Sequence, residues 1–176
     1  LKKKLANEGI FKPAKKRNIP QFPRSVGVVA GLHSAGLKDI ETNLRNRWPI
    51  AKIYVFPSLV QGNDAPKAII RAITEAENSP IDVLIVGRGG GSSEDLGAFN
   101  DEMVVRKVAA CRVPVISAVG HEVDITLTDF AADKRVSTPT AAAVAAVPNK
   151  DDVRLRLDDF QRNLTALYAS CIQRKA

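Results

Sequence analysis

Short apolar runs alternating with segments of helical spacing constrain this chain more than any other feature. Residues 26–30, 53–56, 81–86 and 113–119 are each rich in β-branched apolar side chains and long enough for one strand. In the third run five of six residues are apolar and four are β-branched, so both faces of that strand need cover. Strands of this kind, separated by helices, form parallel sheets covered on two sides. Between them, Ser34 can cap a helix that runs to about Arg47 and ends before Pro49. Residues 64–77 place Ile69, Ile70, Ala72 and Ile73 at positions suited to one helical face. A third helix is expected over 94–111 and a fourth starting near 121–124. Residues 135–137 read as a short fifth strand. Thr138-Pro139 then opens an alanine-rich helix, with proline at a tolerated first position. The expected fold is a doubly wound, mostly parallel α/β sheet with Rossmann- or flavodoxin-like layers, followed by a long C-terminal helix.

Two flanking segments behave differently from this central region, which spans residues 24–148. Residues 1–23 read as a short helix around Leu5 and a linker punctuated by Pro13, Pro20 and Pro23. They carry Lys2, Lys3, Lys4, Lys12, Lys15, Lys16, Arg17 and Arg24 at their border, against the single acid Glu8. Such a patch attracts polyanions, nucleic acid among them, although charge alone favours a solvated, flexible arm. In residues 149–176, Val153, Leu157, Phe160, Leu164, Leu167 and Cys171 step by 4, 3, 4, 3 and 4 residues. That is a heptad stripe, expected to be the start of a coiled coil. A single helix packing back on the sheet would show much the same stripe.

At 176 residues the chain can hold one good-sized core. Lys2, Lys3 and Lys4 are followed by no apolar signal core, and no apolar run approaches a membrane span. Leu1 in place of Met suggests a piece of a longer protein. Only Cys111 and Cys171 are present, which suits idle thiols in a reducing compartment and a cytoplasmic location.

In open parallel sheets ligands bind beyond the carboxyl ends of the strands, and three unusual loops are expected at that edge. The glycine loop Gly87-Arg88-Gly89-Gly90-Gly91-Ser92 leaves a strand and enters a helix. Its glycines permit close-range backbone N–H donors, the helix start adds partial positive charge, and Arg88 supplies a planar cation able to grip two phosphate oxygens. Gly89, Gly90, Gly91 and Ser92 are the expected phosphate cradle. A turn capped by Ser92 or Ser93 is the plainer alternative, but an arginine set among glycines is harder to account for as a turn. The spacing fits neither a dinucleotide fingerprint nor a Walker loop. The second loop carries His121, the side chain best suited to move protons near neutral pH. If a helix starts near Gly120, Asp124 shares a face with His121 and can orient its imidazole. His121 could otherwise be a simple cap. The first loop, after residue 30, leads to Asp39, about one turn into its helix. Asp39, His121 and Asp124 could also hold a metal ion such as magnesium, a weak ligand set on spacing alone.

These residues carry a resemblance to the large-subunit family of exodeoxyribonuclease VII. The matching stretches are V-G-V-V (26–29), V-Q-G-N-D-A-P (60–66), D-V-L-I-V-G-R-G-G-G-S-S-E-D-L (82–96), F-N-D-E (99–102), P-V-I-S-A-V-G-H-E-V-D-I-T-L-T-D-F-A-A-D-K-R (114–135) and T-P-T-A-A-A (138–143). The resemblance implies hydrolysis of single-stranded DNA from either end to oligonucleotides and nucleoside 5′-phosphates, with small helical subunits as partners. It places the family's functional arginine at Arg88, its histidine at His121 and its two aspartates at Asp124 and Asp39. It also implies an oligonucleotide-binding barrel before this region and a long helical region after it. Three positions depart from the family's usual pattern: the loop 30–36, Gly97 where a tryptophan is usual, and Val144 where an acid is usual. Two other classes stay open on the residues alone. One is a small-molecule enzyme binding a nucleotide at the glycine loop; the other is a non-catalytic scaffold acting through the heptad helix, including by self-association. Without the barrel, this region by itself is expected to be weakly active or inactive.

Overall fold

The computed structural model describes residues 1–88, 93–120 and 124–173, with side chains described for all of these except 93–95 and 171–173. Five parallel strands form one sheet: β1 (Ser25–Ala30), β2 (Lys52–Pro57), β3 (Val83–Gly87), β4 (Val115–Ala118) and β5 (Lys134–Arg135). Their order is β2-β1-β3-β4-β5, and every pairing is parallel. β1 and β3 are buried along their whole length, as expected where helices cover both faces.

Alternate residues of β3 serve the two faces. Leu84 and Val86 pack with α3 (Ala65–Glu77) and α4 (Glu102–Ala109) through Ile69, Ile73, Val104 and Val108. Val83 and Ile85 pack with α2 (Ala35–Arg47) and α6 (Pro139–Ala146) through Leu37, Ile40, Leu44, Ala142 and Ala143. The period of two along the strand therefore builds two separate cores, one on each side. The helix starts follow the sequence closely. Ser34 Oγ accepts the Leu37 N–H at 3.1 Å, and Thr138 Oγ1 accepts the Ala141 N–H at 3.0 Å.

Three expectations are corrected. The third helix is not continuous over 94–111. A 3-10 segment (Ser93–Asn100) ends at Asp101, whose extended backbone and side chain cap α4 by accepting the Met103 and Val104 N–H groups. The break has a tertiary cause. Phe99 is fully buried, and its carbonyl accepts the Thr128 hydroxyl at 2.6 Å. Asn100 Oδ1 accepts the Leu127 N–H at 2.8 Å. A continuous helix could not offer both groups to α5 (Leu127–Ala131).

The fourth helix, α5, starts later than the expected 121–124. Thr126 is its N-cap and Asp129 closes a reciprocal capping box, which fixes the first helical residue as Leu127. The basic N-terminal segment is not a loose arm. Leu5, on α1 (Lys2–Asn7), has no exposed surface, and Phe11 packs on Phe130 at 5.7 Å between ring centroids. Lys4 and Arg106 join Glu8 and Glu102 in an ion-pair cluster. Arg17 grips Asp133 through its backbone N–H, Nε and Nη2 at 2.6, 3.1 and 2.7 Å. Its Nη1 donates to the Cys111 carbonyl at 2.6 Å.

The last helix, α7 (Lys150–Gln173), stands largely clear of the sheet. Val153 packs against the α2/α6 core, but Leu157, Phe160, Leu164 and Leu167 are each more than half exposed. From Leu157 to Leu167 the stripe does not pack back on the sheet. Among the described residues no helix is long and apolar enough to cross a membrane.

Candidate active site

The strand order places the reversal between β1 and β3, the position at which such sheets leave a crevice beyond their carboxyl ends. Arg88 is the first residue past β3. Its N–H donates to the Ala118 carbonyl at 3.5 Å, extending the Gly87–Ala118 pairing by one step. The guanidinium is half-buried at the rim, with its Nη1 atom enclosed. Adjacent parallel strands lie about 4.8 Å apart, so the exits of β3 and β4 are immediate neighbours.

Two glycines show how tightly the rim is built. Gly36 lies in the first turn of α2, and a Cβ there would sit 3.0 Å from the Arg88 carbonyl oxygen and 3.4 Å from Pro139 Cγ. The start of α2, the end of β3 and the start of α6 thus meet at one point. Gly120 follows β4, and a Cβ there would fall 1.7 Å from the Asp124 carbonyl oxygen. The Asp124 backbone lies so close to Gly120 that only glycine fits there.

Asp124 is half-buried on this rim. Asp39 is exposed in α2, and its carbonyl accepts from Asn43 Nδ2 at 2.8 Å. The next residue, Ile40, is buried and would meet a Cβ on Gly87 at 3.5 Å, whereas Asp39 itself faces solvent. His121, Gly89, Gly90, Gly91 and Ser92 lie outside the described residues. The structure brings the Arg88 exit, the Asp124 connection and the start of α2 to one edge. It does not place Asp124 on a helix, so the expected shared helical face with His121 has no basis in α5.

His33, in the β1–α2 loop, has φ 64°, the one non-glycine residue with positive φ among those described. It lies at the crevice, where strained backbone is a common companion of function.

The sequence reading missed a buried polar cluster beneath the β4–α5 connection. Asp129 is 2% exposed, Thr126 1% and Ser117 0%. Asp129 Oδ1 accepts the Ser117 hydroxyl at 2.6 Å. Its Oδ2 accepts the Thr126 N–H at 2.8 Å and the Thr126 hydroxyl at 2.9 Å. Arg135 Nε lies 3.8 Å from the same oxygen. The T-x-x-D spacing of Thr126 and Asp129 was a legible capping signal; the link to Ser117 was not.

A separate cleft of about 290 Å³ is lined by Lys15, Lys16, Arg106 and Asp133. It lies by the start of β4, the opposite edge of the sheet from Arg88. Two of its cations serve the fold: Arg106 is held by Glu8 and Glu102, and Lys16 donates to the Ala132 carbonyl. Among the described residues, no three His, Cys, Asp or Glu side chains gather to hold a metal ion.

The family profile described as "Exonuclease VII, large subunit" matches residues 10–176. The chain belongs to the exonuclease VII large-subunit family. Relatives bear this out. The exodeoxyribonuclease 7 large subunit of Bacillus subtilis is 52% identical over 94% of this chain and 37% of its own length. That of Brevibacillus brevis is 56% identical over 85% of the chain and 33% of its own length, and that of Geobacillus kaustophilus is 51% identical over 89% and 35%. The chain therefore spans about a third of the length of these exonuclease VII relatives. Its matched region covers the whole parallel sheet and α7.

Proposed function

We propose that this chain is the phosphodiester-cleaving core of an exonuclease VII large subunit, hydrolysing single-stranded DNA from either end to oligonucleotides and nucleoside 5′-phosphates. The observation that carries the reading is the meeting of the Arg88 and Gly120–Asp124 exits beyond neighbouring strands, in a chain of this family.

In this reading Arg88 and the N–H groups of Gly89, Gly90 and Gly91 bind the phosphodiester, with Ser92 at their end. They stabilise the negative charge that builds on the phosphoryl oxygens in the transition state. His121 accepts a proton from the attacking water, Asp124 holds its imidazole in place, and Asp39 shares in proton transfer. The water oxygen bonds to phosphorus as the bond to the 3′ oxygen breaks. The proton taken up by His121 is passed on, with Asp39 sharing in the transfer, to the departing 3′ oxygen, so that a 5′-phosphate and a 3′-hydroxyl are released.

The solvent-facing stripe of α7 supports an assembly role in the same protein, with small subunits lying along it and self-association as the alternative occupant. The hetero-oligomer works in the cytoplasm. Regions beyond this third of the large subunit supply much of the DNA affinity, since aromatic residues are only 5% of the chain and offer little stacking surface.

The test is His121→Ala in the full-length large subunit assembled with its small subunits. Cleavage of a labelled single strand is expected to fall to background while the Kd for that strand stays within about twofold. Cleavage at the wild-type rate removes His121 from the reaction.

A further inference from the structure

One buried carboxyl group ties the strand that leads to Asp124 to the helix that follows it. A capping box accounts for part of the Asp129 cluster: Oδ2 with the Thr126 N–H and hydroxyl, at the start of α5. It does not account for Oδ1. That oxygen accepts from Ser117, a residue inside β4 and not part of the helix. Capping aspartates serve well at the surface, whereas this one is almost fully enclosed and satisfied by three donors.

Ser117 sits at a junction. It is paired with Val86 of β3 on one side and Arg135 of β5 on the other. Val86 stands two residues before Arg88. Thr126, the other partner of Asp129, stands two residues after Asp124. The Oδ2 atom also lies 3.3 Å from where a Gly120 Cβ would be. A continuous set of contacts therefore runs from the strand register that carries Arg88, through Ser117 and Asp129, to both described ends of the connection that carries Asp124.

We propose that Asp129 is a positioning residue for phosphodiester cleavage: held by Ser117 and Thr126, it fixes Gly120 and Asp124 relative to Arg88 across the rim. The proposal rests on the site reading given under Proposed function. It touches no substrate and no reacting atom. Its effect is to keep the Asp124 backbone seated on Gly120, a geometry that the 1.7 Å approach leaves almost no room to vary. Groups that orient a reacting group in this way commonly matter about 10- to 100-fold when removed.

The experiment uses the full-length large subunit with its small subunits and four substitutions. Ser117→Ala and Thr126→Val each delete one hydroxyl donor, Asp129→Asn changes the acceptor, and Thr126→Ser keeps the Thr126 donor. Ser117→Ala, Thr126→Val and Asp129→Asn are expected to lower kcat by about tenfold or more, with KM and the single-strand Kd within about twofold. Thr126→Ser is expected to return kcat to within about twofold of wild type. A helix cap alone would not make Ser117 matter, because Ser117 is outside the cap. Wild-type kcat in Ser117→Ala, or a loss in every variant no greater than its loss of folded protein by circular dichroism, overturns the proposal. His121→Ala run alongside separates the two failures. If it is inactive while Ser117→Ala is normal, only the positioning role falls. If it cleaves normally, the site reading falls first.

Discussion

Gly120→Ala puts the rim geometry to its most direct test. The added Cβ would sit 1.7 Å from the Asp124 carbonyl oxygen and 3.0 Å from its carbonyl carbon. Side-chain carbons essentially never approach another heavy atom closer than 3.0 Å, so the Asp124 backbone must recede by at least about 1.3 Å. It cannot move toward α5 freely, because Thr126 is pinned to Asp129 by two bonds of 2.8 and 2.9 Å. A displacement of about 1 Å in a reacting constellation costs on the order of 100-fold. Overpacking of this kind also destabilises by roughly 1–3 kcal/mol. The full-length protein carrying Gly120→Ala is therefore expected to bind single-stranded DNA with near wild-type Kd while kcat drops about 100-fold. Single-turnover cleavage of a fluorescent strand, with circular dichroism to confirm folding, makes the measurement. Gly97→Ala is the control, since a Cβ there meets nothing within 4 Å, and its kcat should stay within about twofold. Equal kcat for Gly120→Ala and wild type would refute the tight return of the chain at this turn.

The N-terminal segment yields two more predictions. Leu5→Ala removes a side chain with no exposed surface and is expected to destabilise by roughly 2–5 kcal/mol, read as a lower denaturant midpoint; a flexible arm would show no change. Burial alone would raise the Asp133 carboxyl, but the hydrogen bonds from Arg17 and from the Val115 N–H bring it below its ordinary 3.8. A depressed acid contributes stability above its unfolded value and loses it as pH falls through the folded one. Asp133→Asn should therefore lower stability at neutral pH and narrow the gap from wild type below about pH 4; a gap that stays constant down to pH 2, in chemical denaturation, would contradict the pairing.

Most of the sheet was legible in the sequence because its signals are local. The run ending at Val86 needs cover on both faces wherever it lies, and Ser34 and Thr138 cap the helices that directly follow them. The errors fall where distant residues decide. Asp101 interrupts the third helix because Phe99 and Asn100 present their polar groups to Leu127 and Thr128. The start of α5 is the exception, since the Thr126–Asp129 capping box that sets it is local. The basic segment folds down because Arg17 meets Asp133, 116 residues away, a pairing with no periodic signature. Of the candidate site, Arg88 and Asp124 were legible as loop residues on one edge. Asp129 was not, since a lone aspartate in T-D-F looks like any helix start until its strand partner is known.

Beyond Val153, α7 gains no burial from the rest of its chain: each following residue through Ser170 is exposed. Most helical stability in proteins comes from packing of an apolar face, which this stretch lacks, and about 1.5 Å of rise per residue carries it well past the sheet. Leu157, Phe160, Leu164 and Leu167 would therefore add stability to this helix only once something other than the sheet covers them.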